Sequence, residues 1–275
     1  MVFHAKNGVL TLDNSRMDYV RFGTGKRNLI LLPGLGDGLT TVKGTALPMA
    51  LTYRLFARDF TVYMFSRKEP LSAGCTTEDM ARDQVRAMDL LGIDQADILG
   101  VSMGGMIAQQ ITALYPERVG RLVLAVTCAR GNDLLKQSVK LWTDLARQGD
   151  HTGLMDNTVR LIYSEDYYRK NKWLVPLMGK LTKPRSYDRF LIQAEACSGH
   201  DCFQRLGDIR CPTLIIGGEK DAVIGSQPSR ELAEHIPGSR LRIYPQWGHG
   251  VYEEEKSFNR TVLEFLLEEE TLCTK

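Results

Sequence analysis

The stretch Ala96-Asp97-Ile98-Leu99-Gly100-Val101-Ser102-Met103-Gly104-Gly105 changes its period in the middle. Ala96 to Leu99 is a short apolar run of the kind that forms a buried strand, and Met103 to Leu114 carries helical spacing up to the stop at Tyr115-Pro116. Strand and helix are separated by only Gly100 to Ser102, so the chain must reverse within a few residues. The serine between the two glycines is then held in a strained turn with its Oγ exposed. Gly100 and Gly104 lack the Cβ atoms that would collide as strand and helix close on each other. With 25 glycines in 275 residues, a serine so flanked arises by accident roughly 0.1 times per chain, so its setting must carry the weight.

Working outward, the same alternation recurs. Leu29 to Leu32 and Thr61 to Phe65 are continuous apolar runs, as in strands covered on both faces. Thr77 to Leu91 is helical, with Met80, Ala81, Val85, Met88 and Leu91 on one face and Glu78, Asp79 and Asp83 near its N-terminus; Gly92 closes it. Arg121 to Val126 is a further strand. Upstream, Val9 to Leu12 and Met17 to Phe22 form a hairpin joined by Asp13-Asn14-Ser15-Arg16. From residue 129 to 207 strand-like runs vanish and helical periodicity takes over. The strand and helix pattern then returns with Pro212 to Ile216, Gln227 to His235, Leu241 to Tyr244 and Phe258 to Leu267. The fold class expected is α/β: a mostly parallel, doubly wound sheet behind an antiparallel N-terminal hairpin, with core segments 1–128 and 208–275 and a helical lid at 129–207.

Composition narrows the function classes. At 43% hydrophobic the chain can bury one large core, and a net charge of +2 without a run of basic residues gives no footprint for nucleic acid or an acidic membrane. The six cysteines are scattered with no CxxC pair, as for reduced thiols. No basic and apolar leader opens the sequence, and no apolar stretch reaches bilayer length. A cytoplasmic protein, monomeric or homodimeric, acting on a small-molecule acyl substrate without cofactor or metal is the expectation.

A serine nucleophile needs a base and a group to orient that base. Asp221, in Gly217-Gly218-Glu219-Lys220-Asp221, follows one apolar strand; His249, in Gln246-Trp247-Gly248-His249-Gly250, follows another. The carboxyl ends of parallel strands form the ligand-binding edge, so Ser102, Asp221 and His249 converge there. Asp201 and Asp208 compete for the acid role, but neither follows a recognisable strand. His200-Asp201-Cys202 lacks metal-ligand spacing, and His4, His151, His200 and His235 have no comparable position.

These residues carry a resemblance. In its Gly100 to Gly105 turn, its Gly218 to Asp221 acid turn, its Gly248-His249 loop and its order Ser, Asp, His, the chain resembles the α/β-hydrolases. The likeness is to their lid-bearing esterase, lactonase and carbon–carbon hydrolase branch. The resemblance implies that Ser102 is the nucleophile, His249 the base and Asp221 its partner. It also implies that Leu31 to Gly36 is the oxyanion loop, with the backbone N–H groups of Leu35 and Met103 as donors. Two departures stand out: Pro33-Gly34 where relatives carry His-Gly, and Phe65-Ser66-Arg67-Lys68 where they show Asp-x-Arg-Gly, keeping only the arginine. Gly34, Trp142, Tyr163 and Trp247 are the candidate pocket residues. The aromatics of 129–207 also suit a small helical core, and Glu253-Glu254-Glu255 reads as a solvated loop.

Overall fold

The computed structural model describes residues 2–268. Eight strands form one sheet in the order β1-β2-β4-β3-β5-β6-β7-β8. They are β1 (Lys6–Leu12), β2 (Ser15–Phe22), β3 (Arg27–Leu32), β4 (Phe60–Phe65), β5 (Ala96–Val101), β6 (Val119–Ala125), β7 (Thr213–Gly218) and β8 (Arg240–Tyr244). β1 and β2 pair antiparallel, as do β2 and β4; all pairings from β4 to β8 are parallel. The hairpin is tighter than the sequence implied, because Asp13 takes φ 51° and Ser15 already pairs with Leu12.

Side chains alternate across the central strands and so feed two cores. In β3, Ile30 and Leu32 join one core while Leu29 and Leu31 join the other. Helices α2 (Thr77–Leu90), α3 (Met103–Leu114) and α9 (Gln227–His235) cover the first face. Helices α1 (Ala46–Thr52) and α11 (Phe258–Leu267) cover the second, and the short α10 (Val251–Glu254) precedes α11. α2 starts at a reciprocal cap: Thr76 Oγ1 accepts from the Asp79 N–H, and Asp79 Oδ2 accepts from the Thr76 N–H. α1 was not evident from the sequence, since Leu47 and Leu51 are exposed and only the small Ala46 and Ala50 are buried.

Between β6 and β7 lie five helices: α4 (Asp133–Arg147), α5 (His151–Ile162), α6 (Glu165–Asn171), α7 (Val175–Leu181) and α8 (Asp188–Ser198). The outgoing and returning chains touch at a neck, where the Gly131 N–H donates to His200 O, the Cys202 N–H donates to Ala129 O, and Arg130 bridges Asp201. Among the described residues all five cysteines are free thiols; Cys273 lies outside them. No helix of the described residues is long and apolar enough to cross a membrane.

His200 at the neck is 3% exposed, and its Nδ1 lies 2.9 Å from Thr77 Oγ1 on α2. Burial takes it from its ordinary 6.5 down to about 4. The unfolded chain therefore binds the extra proton first, so stability is complete above about pH 6.5 and falls as pH drops toward 4. Between pH 7 and pH 5 the loss from this group is about 2 kcal/mol. In urea unfolding at those two pH values, His200→Gln is expected to lose less stability than the wild type by about that amount; equal losses would contradict the assignment.

Candidate functional site

β3 is followed by α1 on one face of the sheet, whereas β5 is followed by α3 on the other. The strand order thus reverses between β3 and β5, which leaves a crevice at their carboxyl ends. Ser102 sits there, between β5 and α3, at φ 52° and ψ −121°. An L-residue at positive φ is strained, and the surroundings hold it. Its N–H donates to Ala125 O (2.9 Å), and its O accepts from Thr127 Oγ1 (2.8 Å) and the Gly105 N–H (2.8 Å). A Cβ at Gly104 would lie 1.9 Å from Leu32 O, and one at Gly100 would lie 2.6 Å from Gly104 O, so neither position admits a side chain. Val126, beside this turn, is a β-branched residue at φ 45°, which no pattern in the sequence announced.

Asp221 and His249 reach the same point from β7 and β8. Asp221 Oδ1 accepts from the N–H groups of Val223 (2.8 Å) and Ile224 (3.0 Å), which fixes its carboxylate. Its Oδ2 lies 2.7 Å from His249 Nδ1, and His249 Nε2 lies 3.0 Å from Ser102 Oγ. A carboxylate only accepts, so Nδ1 carries the proton and Nε2 is free to receive one from the serine. Asp221 and His249 are 6% and 2% exposed, which keeps water from competing for these bonds.

Leu35 opens a 3₁₀ turn (Leu35–Gly38) and Met103 opens α3, so neither N–H has an intrahelical acceptor; none is found elsewhere among the described residues. The loop bearing Leu35 is clamped from below. Arg67, 2% exposed, donates through Nη2 to Pro33 O (2.6 Å), and its N–H donates to Asp37 Oδ2 (3.0 Å). Arg189 of α8 donates to Asp37 Oδ2, to Asp37 O and to Arg67 O. Arg67, the residue retained from the relatives' pattern, thus holds the carbonyl of Pro33 itself. Asp37 and Arg189 stood out in no motif, because an acid in a glycine loop and an arginine on a polar helix look like surface residues.

Above Ser102 lies a chamber of about 260 Å³, mostly apolar, walled by Leu39, Trp142, Ile162, Phe190 and Tyr252 with Gly34 at its floor. Gly34 and Trp142 therefore face the serine, whereas Tyr163 and Trp247 lie outside the chamber. Tyr163 stacks on Tyr167 at 4.2 Å and donates to Glu253 Oε2; the Trp247 Nε1–H donates to Glu255 Oε2 (2.7 Å). The acidic run is structural here rather than a solvated loop: Glu254 also accepts from the Ser164 N–H and Oγ, and the Gly250 N–H donates to Ile162 O. These contacts tie the end of α5 to the histidine loop. Trp173 and Met178 are exposed, away from the chamber. Among the described residues no three His, Cys, Asp or Glu side chains come together to hold a metal ion.

Removing the Asp37 carboxylate leaves two buried guanidinium groups without a counter-charge. Asp37→Ala is expected to cost about 3–5 kcal/mol in urea unfolding; a loss below about 1 kcal/mol, the range of a surface pair, would contradict the clamp.

The alpha/beta hydrolase fold family model matches residues 27–256. A 2-hydroxy-6-oxononadienedioate/2-hydroxy-6-oxononatrienedioate hydrolase of Klebsiella pneumoniae is 30% identical over 255 residues, 89% of this chain and 88% of that one. The serine hydrolase BPHL of Mus musculus is 28% identical over 95% of this chain and 84% of its own. In three dimensions, the enol-lactonase of Burkholderia xenovorans superposes with a TM-score of 0.80 at 22% identity, covering 95% of this chain and all of that one. The family match spans every strand from β3 to β8 and all three residues of the hydrogen-bonded chain at Ser102: the protein belongs to the α/β-hydrolase fold family.

Proposed function

We propose that the protein is a serine hydrolase that cleaves a small carboxylic ester or related acyl substrate through an acyl-enzyme at Ser102. The observation that carries this reading is the continuous chain Asp221–His249–Ser102, at 2.7 and 3.0 Å, beside two backbone N–H groups without acceptors. Ser102 Oγ attacks the carbonyl carbon while its proton passes to His249 Nε2, and Asp221 stabilises the imidazolium that results. The N–H groups of Leu35 and Met103 receive the developing oxyanion; one such donor is typically worth about 10²–10³ in rate. His249 returns the proton to the leaving oxygen, then takes one from the water that releases the acid. In this reading α4, α5 and α8 serve as a lid that excludes bulk water.

Cleavage of a carbon–carbon bond on the same residues is the second reading, and the Klebsiella relative favours it. The two reactions share the oxyanion site and differ in the leaving group, which is a carbanion equivalent in the second.

Hydrolysis of p-nitrophenyl acetate is expected from the wild type, with Ser102→Ala slower by at least about 10⁴-fold and Asp221→Asn by about 10⁴ in kcat. Equal rates for wild type and Ser102→Ala would contradict the assignment. Turnover of a 2-hydroxy-6-oxo-dienoate in place of any ester would transfer it to the second reading.

A further inference from the structure

A second and larger cavity of about 620 Å³ lies behind the Leu35 loop, on the α1 and α11 side of the sheet. It adjoins the chamber above Ser102 across a shared wall of Pro33, Gly34 and Tyr252, which line both. Its floor is apolar, made by Leu31, Met64 and Leu99 at the ends of three central strands with Met49 on α1. Tyr53 and Tyr252 also line it, and neither phenol hydroxyl has a hydrogen-bond partner among the described residues, although burial takes Tyr53 up to about 12 and Tyr252 well above its usual range. Both side chains are only partly buried and their hydroxyls reach solvent, so each is open to a polar atom brought by a ligand.

The charges around both cavities point the same way. No lysine or arginine lines the chamber at Ser102, and the nearby Arg67 and Arg189 are turned to Asp37 and to backbone carbonyls. The second cavity has one cation, the exposed Lys256, set against Glu253 and Glu255 at the same rim. A dicarboxylate would therefore meet carboxylates and find no buried counter-charge.

We propose that the substrate is an elongated, uncharged ester or lactone whose remote chain runs from Ser102 past Gly34 into the second cavity, where Tyr53 and Tyr252 hydrogen-bond a hydroxyl or carbonyl oxygen on it. The two volumes together suit a ligand of that size. This rests on the hydrolase reading above and names its substrate class, one that differs from the dioates of the relatives' names.

The test compares p-nitrophenyl acetate with p-nitrophenyl esters of eight-carbon acids ending in methyl, hydroxyl or carboxylate. The methyl- and hydroxyl-ended esters are expected to exceed acetate in kcat/KM by at least about tenfold, since several methylenes leave water. The carboxylate-ended ester falls at least about tenfold below the hydroxyl-ended one. Met49→Trp, which adds bulk inside the cavity, abolishes the chain-length preference. The double variant Tyr53→Phe, Tyr252→Phe abolishes the preference for hydroxyl over methyl. Octanoate no better than acetate, or a carboxylate end tolerated as well as a hydroxyl, would overturn the proposal on the wild type alone. The rate at which ethyl and octyl p-nitrophenyl phosphonates phosphonylate Ser102 separates the two levels of the account. Equal rates contradict the second cavity as a subsite, and no labelling at all contradicts the hydrolase reading itself.

Discussion

A serine held at φ 52° and ψ −121° carries strain on the order of 1–3 kcal/mol, and the surrounding elements hold it in place. β3, β5 and α3 meet at Ser102 so closely that Gly100 and Gly104 admit no side chain. Thr127 holds the serine carbonyl, and Val126 accepts its own positive φ while its N–H stays bonded to Ile216 O on β7. The consequence of this crowding is directional. The Oγ points out of the sheet edge toward His249, and the first N–H of α3 is left without an acceptor on the same side.

The second constraint is a buried charge group. Asp37 lies between Arg67, which follows β4, and Arg189, which comes from α8, so one carboxylate joins the loop after β3 to the sheet and to the helical insertion. Burial weakens the hold of Arg67 on its proton and the neighbouring Asp37 offsets this only in part, which makes each partner costly to remove alone. A comparable tie fixes the other side, where Gly250 and Glu254 bind the end of α5. Both walls of the chamber are therefore attached to the loops that carry Leu35 and His249. Placement of the insertion and placement of those loops are one property of the structure.

Much of this was legible from residues alone. Strand and helix periodicity located β3 to β7, α2, α3, α9 and α11 because those elements bury continuous or one-sided apolar faces; β8 was legible from its apolar residues although only Tyr244 in it is buried. Ser102, Asp221 and His249 were legible because each follows an apolar strand within a few residues. α1 was missed because its buried face is only Ala46 and Ala50. The pocket was half legible: Gly34 and Trp142 face the serine, but Tyr163 and Trp247 are drawn away by Glu253 and Glu255, whose run looked like solvated surface. Asp37, Arg189, Phe190 and Tyr252 acquire meaning only from contacts distant in the chain, and no local pattern encodes those.

The central claim is that Ser102 forms a covalent acyl intermediate under the control of His249 and Asp221. Rapid quenching of the first turnover of p-nitrophenyl acetate, followed by peptide mass spectrometry, tests it directly. The account predicts an acetyl group on the peptide containing Ser102, appearing with the burst of p-nitrophenol and accumulating when the water step is slowed. Steady release of p-nitrophenol with Ser102 unmodified at every time point, or with the acetyl group on another residue, would contradict it.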